Sequence, residues 1–365
     1  MNFLIEQQVL DDALKTVQFA LLTRPSLPVL NNVRIDALDD GVNFTLTDQE
    51  ITISCKANAN VTEIGSTTLP MRRLLSIVRR LPALPISFNM ENDEFTELKS
   101  GEICFKIQGI STDEFPETLN SQFEHSSSVP RDIIRRLVIN TSFATGNDPS
   151  RPIISGPLLK FEPDLFSCVA TDGKRLAIET ESISFKLEGL CVIPQKTTNA
   201  LMKLLAGDGD VIISFDEKSV QFDFINEYGQ ATIINSKLIE GRFPRYEAII
   251  PDEQDIEIFI NRNEFADCLK RIALILNESS QGVKLIFTEN KLTMHASTEN
   301  DESTEEMNID LTGPEQQIAF NPAYLLDPLK RLEDEKISLS FTNTHKAACM
   351  KNSGSFKYVL MPMRM

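Results

Sequence analysis

The sequence predicts an α+β fold made of three tandem copies of one domain of about 120 residues, each with two helices and antiparallel sheets. Three observations carry this. A proline-led helix followed by an alternating strand recurs three times, a Thr-Asp segment recurs at matching spacing, and each third of the chain opens on an amphipathic helical pattern.

The proline-led blocks are Leu69-Pro70-Met71-Arg72-Arg73-Leu74-Leu75 before Ile86-Ser87-Phe88, Ile193-Pro194-Gln195-Lys196 before Ile213-Ser214-Phe215, and Asn321-Pro322-Ala323-Tyr324-Leu325-Leu326 before Leu339-Ser340-Phe341. The prolines lie 124 and 128 residues apart and the Ser-Phe pairs 127 and 126 apart. Proline suits the first position of a helix, where an N–H would lack a partner anyway. The strands alternate apolar and polar residues. Thr47-Asp48-Gln49-Glu50-Ile51 is echoed by Thr171-Asp172-Gly173-Lys174-Arg175-Leu176, and Glu114-Phe115-Pro116 by Arg242-Phe243-Pro244. Leu10, Leu14, Val17 and Leu21 give the first opening helix one apolar face. Ile133, Ile134 and Leu137 do so for the second. Phe265, Leu269, Ile272 and Leu276 do so for the third, after Asn261 and Glu264, which form a capping pair. Domains are expected at 1–126, 127–251 and 252–365, divided near the polar stretches Phe123–Pro130 and Pro251–Glu257. Repeated units join through equivalent faces, and a head-to-tail contact that closes makes a ring, so the chain is expected to form an oligomer, most simply a homodimer.

Composition narrows the function. The 365 residues are 41% hydrophobic and 24% charged, as in an ordinary soluble globular protein. No apolar run reaches the roughly 20 residues of a membrane helix. The start MNFLIEQQVLDD has no basic leader, and the six scattered cysteines include no CxxC, so a cytoplasmic location with reduced thiols is expected and no membrane association. Lys and Arg number 36 against 53 Asp and Glu, a net charge of −17 that opposes ordinary basic DNA binding unless the cations are sorted onto one surface.

Catalytic patterns are lacking. His125, His295 and His345 lie far apart, and Gly173-Lys174-Arg175 lacks the preceding glycine and the following Ser/Thr of a phosphate loop. Gly207-Asp208-Gly209-Asp210 reads as a turn, not a calcium loop. No enzyme activity, metal or cofactor is expected.

Two segments carry chemistry. In Met71–Leu81, Met71, Leu74, Leu75 and Val78 form an apolar stripe, and Arg72, Arg73, Arg79 and Arg80 fall on the other side. The equivalent helices carry Lys196 and Lys203, then Lys330 and Arg331. The opening helices carry Lys15, then Arg131, Arg135 and Arg136, then Lys270 and Arg271. Recurrence points to a surface facing a polyanion through sequence-independent phosphate contacts. No aromatic set accompanies them, which favours duplex over single strands. The second segment is Tyr358-Val359-Leu360-Met361-Pro362-Met363-Arg364-Met365, an apolar tail suited to an adaptable groove for short peptides.

On these residues, together with Arg24-Pro25, Leu27–Asn32, Ala170–Ala177 (ATDGKRLA), Glu240–Tyr246 (EGRFPRY), Phe320-Asn321 and Tyr358–Arg364, the whole chain resembles the β subunits of bacterial DNA polymerase III, the sliding clamps. The resemblance implies a ring-forming head-to-tail homodimer of three DNA-clamp domains per chain that encircles double-stranded DNA and confers processivity. Implied partners are the replicative polymerase catalytic subunit, the clamp loader, translesion polymerases and mismatch-repair proteins, each docking a short peptide. The implied peptide cleft uses Ile154, Thr171, Gly173, Lys174, Arg175, Leu176, Pro244, Ile249, Asn321, Tyr324, Val359, Leu360, Met361, Pro362, Met363 and Arg364, with Leu360 to Met363 as its apolar wall and Arg175 and Arg364 as polar anchors. Implied DNA contacts are Arg24, Arg72, Arg73, Arg151 and Lys196. Arg151 lies in Asp148–Ile153, where relatives often place a glutamine and paired tyrosines. The implied dimer contact packs Ile77, Leu81, Phe105 and Ile107 against Leu274 and Ile275. Ala248 and Ser280 replace an arginine and an aromatic common in the family's cleft. The alternative is a peptide-binding scaffold with no DNA role.

Overall fold

The structure, a computed structural model, describes the chain except for residues 25, 93–94, 119–122, 185–186, 252–254, 278–281 and 364–365. Its α-helices are α1 (Gln7–Val17), α2 (Met71–Val78), α3 (Arg131–Thr141), α4 (Gln195–Leu204), α5 (Arg262–Ile272) and α6 (Pro322–Leu329), two in each third of the chain. Among the described residues no helix is long and apolar enough to cross a membrane.

The helical periods hold where side chains are buried. α1 buries Leu10, Leu14 and Val17, and α5 buries Phe265, Leu269 and Ile272. Leu21 and Leu276 fall just beyond, after the short 3-10 turns Gln18–Ala20 and Ala273–Ile275. Asn261 caps α5 by accepting from the Glu264 N–H. The helix prolines differ by one position. Pro322 is the first residue of α6 behind the Asn321 cap, whereas Pro70 and Pro194 are themselves the caps of α2 and α4. Proline's missing N–H costs nothing at either position.

Two compact units emerge from the chain's contacts: Met1–Arg135 with Phe185–Leu187 and Ile193–Ile239, and Arg136–Ser184 with Glu188–Val192 and Glu240–Met365. The first holds a five-stranded and an eight-stranded sheet, the second a nine-stranded and a four-stranded sheet. Each long sheet takes strands from two successive repeats. In the first unit, Ile51–Ala57 pairs antiparallel with Ala231–Lys237, Ile53 opposite Ile234. In the second, Arg175–Glu181 pairs with Lys357–Leu360, Leu176 opposite Val359. These seams are equivalent, and the end of each second strand bonds back to the turn: Lys237 N–H, the last of its strand, to Glu50 O at 2.8 Å, and Met361 N–H, one residue beyond its strand, to Lys174 O at 3.1 Å. The helix starts repeat as well. Gln7 donates to Val78 O at 2.8 Å, Arg131 to the carbonyls of Asp208 and Ile225, and Arg262 to Leu329 O at 2.9 Å.

The Thr-Asp echo is one tight turn built twice. Thr47 and Thr171 hydroxyls donate to Ile51 O and Arg175 O at 3.0 and 2.7 Å. Asp48 Oδ1 accepts from the Glu50 and Ile51 N–H groups, and Asp172 Oδ1 from those of Lys174 and Arg175. The third residue is left-handed in both turns, Gln49 at φ 76° and Gly173 at φ 87°. The spare Asp oxygen takes a cation each time. Lys196 Nζ reaches Asp48 Oδ2 and, at 2.8 Å, Ala20 O, while Arg175 Nε reaches Asp172 Oδ2 at 3.0 Å.

Two stability changes follow. Gln49→Gly removes a left-handed strain of about 1 kcal/mol, partly offset by glycine's freedom in the unfolded chain. A thermal melt is expected to rise by roughly 1–3 °C, and a fall would contradict the strain. Lys196→Met leaves Asp48, whose side chain is 4% exposed, without its cation. The expected loss is about 2 kcal/mol in urea unfolding, less than for a fully buried pair because Lys196 keeps part of its side chain in water. Unchanged stability would show that the pair is idle.

Candidate functional site

The apolar tail builds a pocket. After the strand Lys357–Leu360, Met361 N–H donates to Lys174 O and Met363 N–H to Ala319 O at 2.8 Å, pinning the chain at both ends of a three-residue stretch. A cavity of about 260 Å³ opens there, lined by Lys174, Asn321, Tyr324, Met361, Pro362 and Met363. All six belong to the cleft expected from the sequence. The thioether and ring surfaces suit an apolar side chain. Lys174 supplies the lining's one charge, and Asn321 is fixed by accepting from Ala323 N–H at 2.9 Å.

Arg175 is placed differently from the polar anchor expected. Its side chain is only 10% exposed. Nη1 donates to Asp327 at 2.6 Å, Nη2 to Phe143 O at 3.0 Å, and the guanidinium lies 4.4 Å from the Tyr324 ring centre and 5.7 Å from that of Phe143. It therefore supports Tyr324 from behind the pocket and does not line it. Tyr324 is held by its backbone too. Pro328 within α6 has no N–H for the Tyr324 carbonyl, and the Tyr358 hydroxyl donates to it at 2.9 Å. Burial raises the Tyr358 pKa, so this donor stays protonated.

The remaining cleft residues divide by burial. Leu176, Val359 and Leu360 are each 2% exposed and belong to the sheet, so Leu360 is core and not the groove wall expected. Ile154 is buried against the backbone of Gly146, where an added Cβ would meet it at 2.9 Å, and Thr171 closes its turn. Gly173 supplies the left-handed turn residue, and the Arg151 guanidinium lies over it, held by Asp148 at 2.9 Å. The Ser150 hydroxyl, and after it Arg151, hold the Asp148 carboxyl down to about 2. Pro244 is exposed. Ile249 lines another cavity of about 390 Å³ with Ala248, Ile250, Pro251, Thr342, Lys346 and Ala347. Arg364 and Ser280 lie outside the described residues. Sequence reasoning missed Phe143, Asp327 and Tyr358 as supports of the pocket. The one available signal was Asp327 a helical turn after Tyr324.

Several helix cations pair with carboxylates of their own unit. Arg136 pairs with Glu179 at 2.8 Å, Lys270 with Asp267 at 2.9 Å, Arg271 with Glu305, and Lys330 with Asp327 at 3.5 Å. Arg131 is 3% exposed and serves the backbone carbonyls named above, and Arg135 donates to Met202 O at 2.9 Å. Lys196 is tied to Asp48. Arg131, Arg135 and Lys196 are thus structural contacts and not the open cationic face expected of them, whereas Lys270, Arg271 and Lys330 keep more than half of their side chains exposed beside their acidic partners. α2 and the turn after it differ. Met71, Leu74, Leu75 and Val78 are buried, and Arg72, Arg73, Arg79 and Arg80 are exposed. Arg72 donates to Leu22 O at 3.1 Å, Arg79 lies 3.5 Å from Asp11, and Arg24 is exposed on its bend.

A third cavity, of about 290 Å³, is lined by Arg73, Ser76, Ile77, Arg80, Leu81, Ile103 and Phe105. It borders Ile103–Gln108, an edge strand of the five-stranded sheet with Ile103 41% and Phe105 38% exposed. Ile107, expected at a dimer contact, is 2% exposed and packs inward. In the second unit, Leu274 is 82% exposed, Ile275 is half-buried, and Glu302–Asn308 is an edge strand of the four-stranded sheet. Among the described residues no three His, Cys, Asp or Glu side chains converge as a metal site requires.

Residues 1–120, 128–245 and 247–364 match the N-terminal, central and C-terminal domains of the DNA polymerase III beta subunit. The Beta sliding clamp of Chlamydia pneumoniae is 30% identical over 368 residues, covering 100% of this chain and 99% of that protein. The Beta sliding clamp of Escherichia coli K12 is 30% identical over 372 residues, covering both chains completely. A Pseudomonas aeruginosa DNA polymerase III subunit beta, crystallised bound to griselimycin, superposes with a TM-score of 0.94 at 28% identity over 100% of both chains. Three tandem domain matches and full-length relatives at this identity place the chain in the DNA polymerase III beta subunit family, the bacterial beta sliding clamps.

Proposed function

We propose that two copies of this chain close head to tail into a ring around duplex DNA and tether the replicative polymerase there. The clamp role, without catalysis, follows from family membership. Domains at 1–126, 127–251 and 252–365 would each supply one arc of the ring. The observation that carries the reading is the set of four exposed arginines on and just after α2 in a chain of net charge −17. Such a surface touches phosphates weakly and without sequence preference, and encirclement makes weak contact sufficient. Arg24, Arg72 and Arg73 are the DNA contacts best supported by exposure. Arg151 and Lys196, the other two expected contacts, are paired with Asp148 and Asp48.

Ring closure is supported by two open sheet edges of opposite character. Lys106 lies on Ile103–Gln108, and Arg73 and Arg80 line the cavity bordered by Ile103 and Phe105, while Glu302, Glu305 and Glu306 lie on Glu302–Asn308. Unpaired edges invite strand addition, and the exposed Phe105 and Leu274 give apolar area to bury. The Met361–Met363 pocket is the docking point for short peptides of the polymerase, the clamp loader, translesion polymerases and mismatch-repair proteins, and for griselimycin.

Loaded onto nicked circular DNA by a bacterial clamp loader, the protein is expected to stay through gel filtration and to be lost on linearisation. Equal retention on both forms would contradict encirclement. Arg72→Glu with Arg73→Glu is expected to lower the retained fraction, whereas a scaffold without a DNA role would show no change. Griselimycin titrated calorimetrically is expected to bind once per chain and to lose at least tenfold in affinity with Met363→Glu. Unaltered affinity would remove the pocket from the reading.

A further inference from the structure

The two seams between repeats neutralise the turn aspartate by different residues. In each, a second helix sits beside the preceding repeat's Thr-Asp turn. Two residues after the helix proline stands Lys196 at the first seam and Tyr324 at the second. Five residues after it stand Asn199 and Asp327. At the first seam Lys196 itself reaches the turn aspartate, and Asn199 only accepts from Gln195 at 3.4 Å. At the second seam an aromatic cannot neutralise Asp172. Arg175, on the adjoining strand, does so, and its Nη1 turns to Asp327 of α6 at 2.6 Å.

We propose that Asp327 is a positioning residue of the Met361–Met363 pocket, acting through Arg175 on Tyr324. The proposal rests on the pocket's being the docking point. Neither Asp327 nor Arg175 lines the cavity. With Asp172 on Nε, Asp327 on Nη1 and the Phe143 carbonyl on Nη2, the guanidinium is fixed along three directions in its plane. Its face is thereby held 4.4 Å from the Tyr324 ring centre. Tyr358 fixes the Tyr324 backbone, so Asp327 governs what is left, the tilt of the ring that lines the cavity. Without Asp327 the Nη1 donor would seek another acceptor, the plane would rotate about the Asp172 contact, and the ring would lose its support.

The test uses the full chain with ¹³C-labelled tyrosine. Four tyrosines are present, and Tyr324→Phe assigns the resonance of interest. In the unliganded protein Asp327→Asn is expected to displace the Tyr324 ring resonance and leave those of Tyr228 and Tyr246 in place. Griselimycin affinity is expected to fall at least tenfold, and Asp327→Glu, which restores the charge, to recover most of it. An unmoved Tyr324 resonance, concerted movement of all four tyrosines, or equal losses in the Asn and Glu variants would overturn the proposal. If the wild-type chain fails to bind griselimycin, the docking reading falls, and the Tyr324 resonance still decides whether Asp327 positions the ring.

Discussion

Unpaired strand edges are the constraint on which this structure depends. A repeat of this size leaves its sheet open at the sides, and an open edge exposes a row of N–H and C=O groups that must find partners. Within the chain the answer is strand addition between repeats. Ile51–Ala57 takes Ala231–Lys237, and Arg175–Glu181 takes Lys357–Leu360. This is why the compact units do not follow the sequence repeats, and why the last strand leads into the pocket. A strand inserted at a seam carries its following residues onto the neighbouring turn, where Met361 bonds Lys174.

The same seams explain how an acidic protein comes to have a basic helix. At a seam the turn aspartate needs a cation, so Lys196 and Arg175 are drawn into local pairs. Elsewhere Arg136, Lys270 and Arg271 meet carboxylates of their own units. α2 starts from a proline cap and packs by Met71, Leu74 and Val78, so its arginines point to solvent with few acids to meet them. Sorting of charge therefore lies in which helices lack acidic neighbours, more than in the count of lysines and arginines.

Much of this was legible in the sequence because it is periodic or local. The stripe of α2, the Asn261 cap and the Thr-Asp turn depend on residues within a few positions of one another. The pocket lining was legible through resemblance, and all six lining residues were among those expected. Its support was not. Phe143, Arg175, Asp327 and Tyr358 meet only after strands and helices from two repeats are brought together, and no spacing announces that Pro328 frees a carbonyl for Tyr358. The roles of the buried cations are hidden from the sequence for the same reason. Arg131 looks like a surface charge in a helical pattern, yet its guanidinium serves the carbonyls of Asp208 and Ile225.

Of the strands that end the four sheets, Ile103–Gln108 and Glu302–Asn308 are the pair to which we assign the second copy. Sedimentation equilibrium across nanomolar to micromolar concentration measures this most directly. The account predicts a single species of twice 41.0 kDa that persists on dilution. A species of 41.0 kDa at micromolar concentration, or a ladder of ever larger oligomers, would contradict a closed head-to-tail pair.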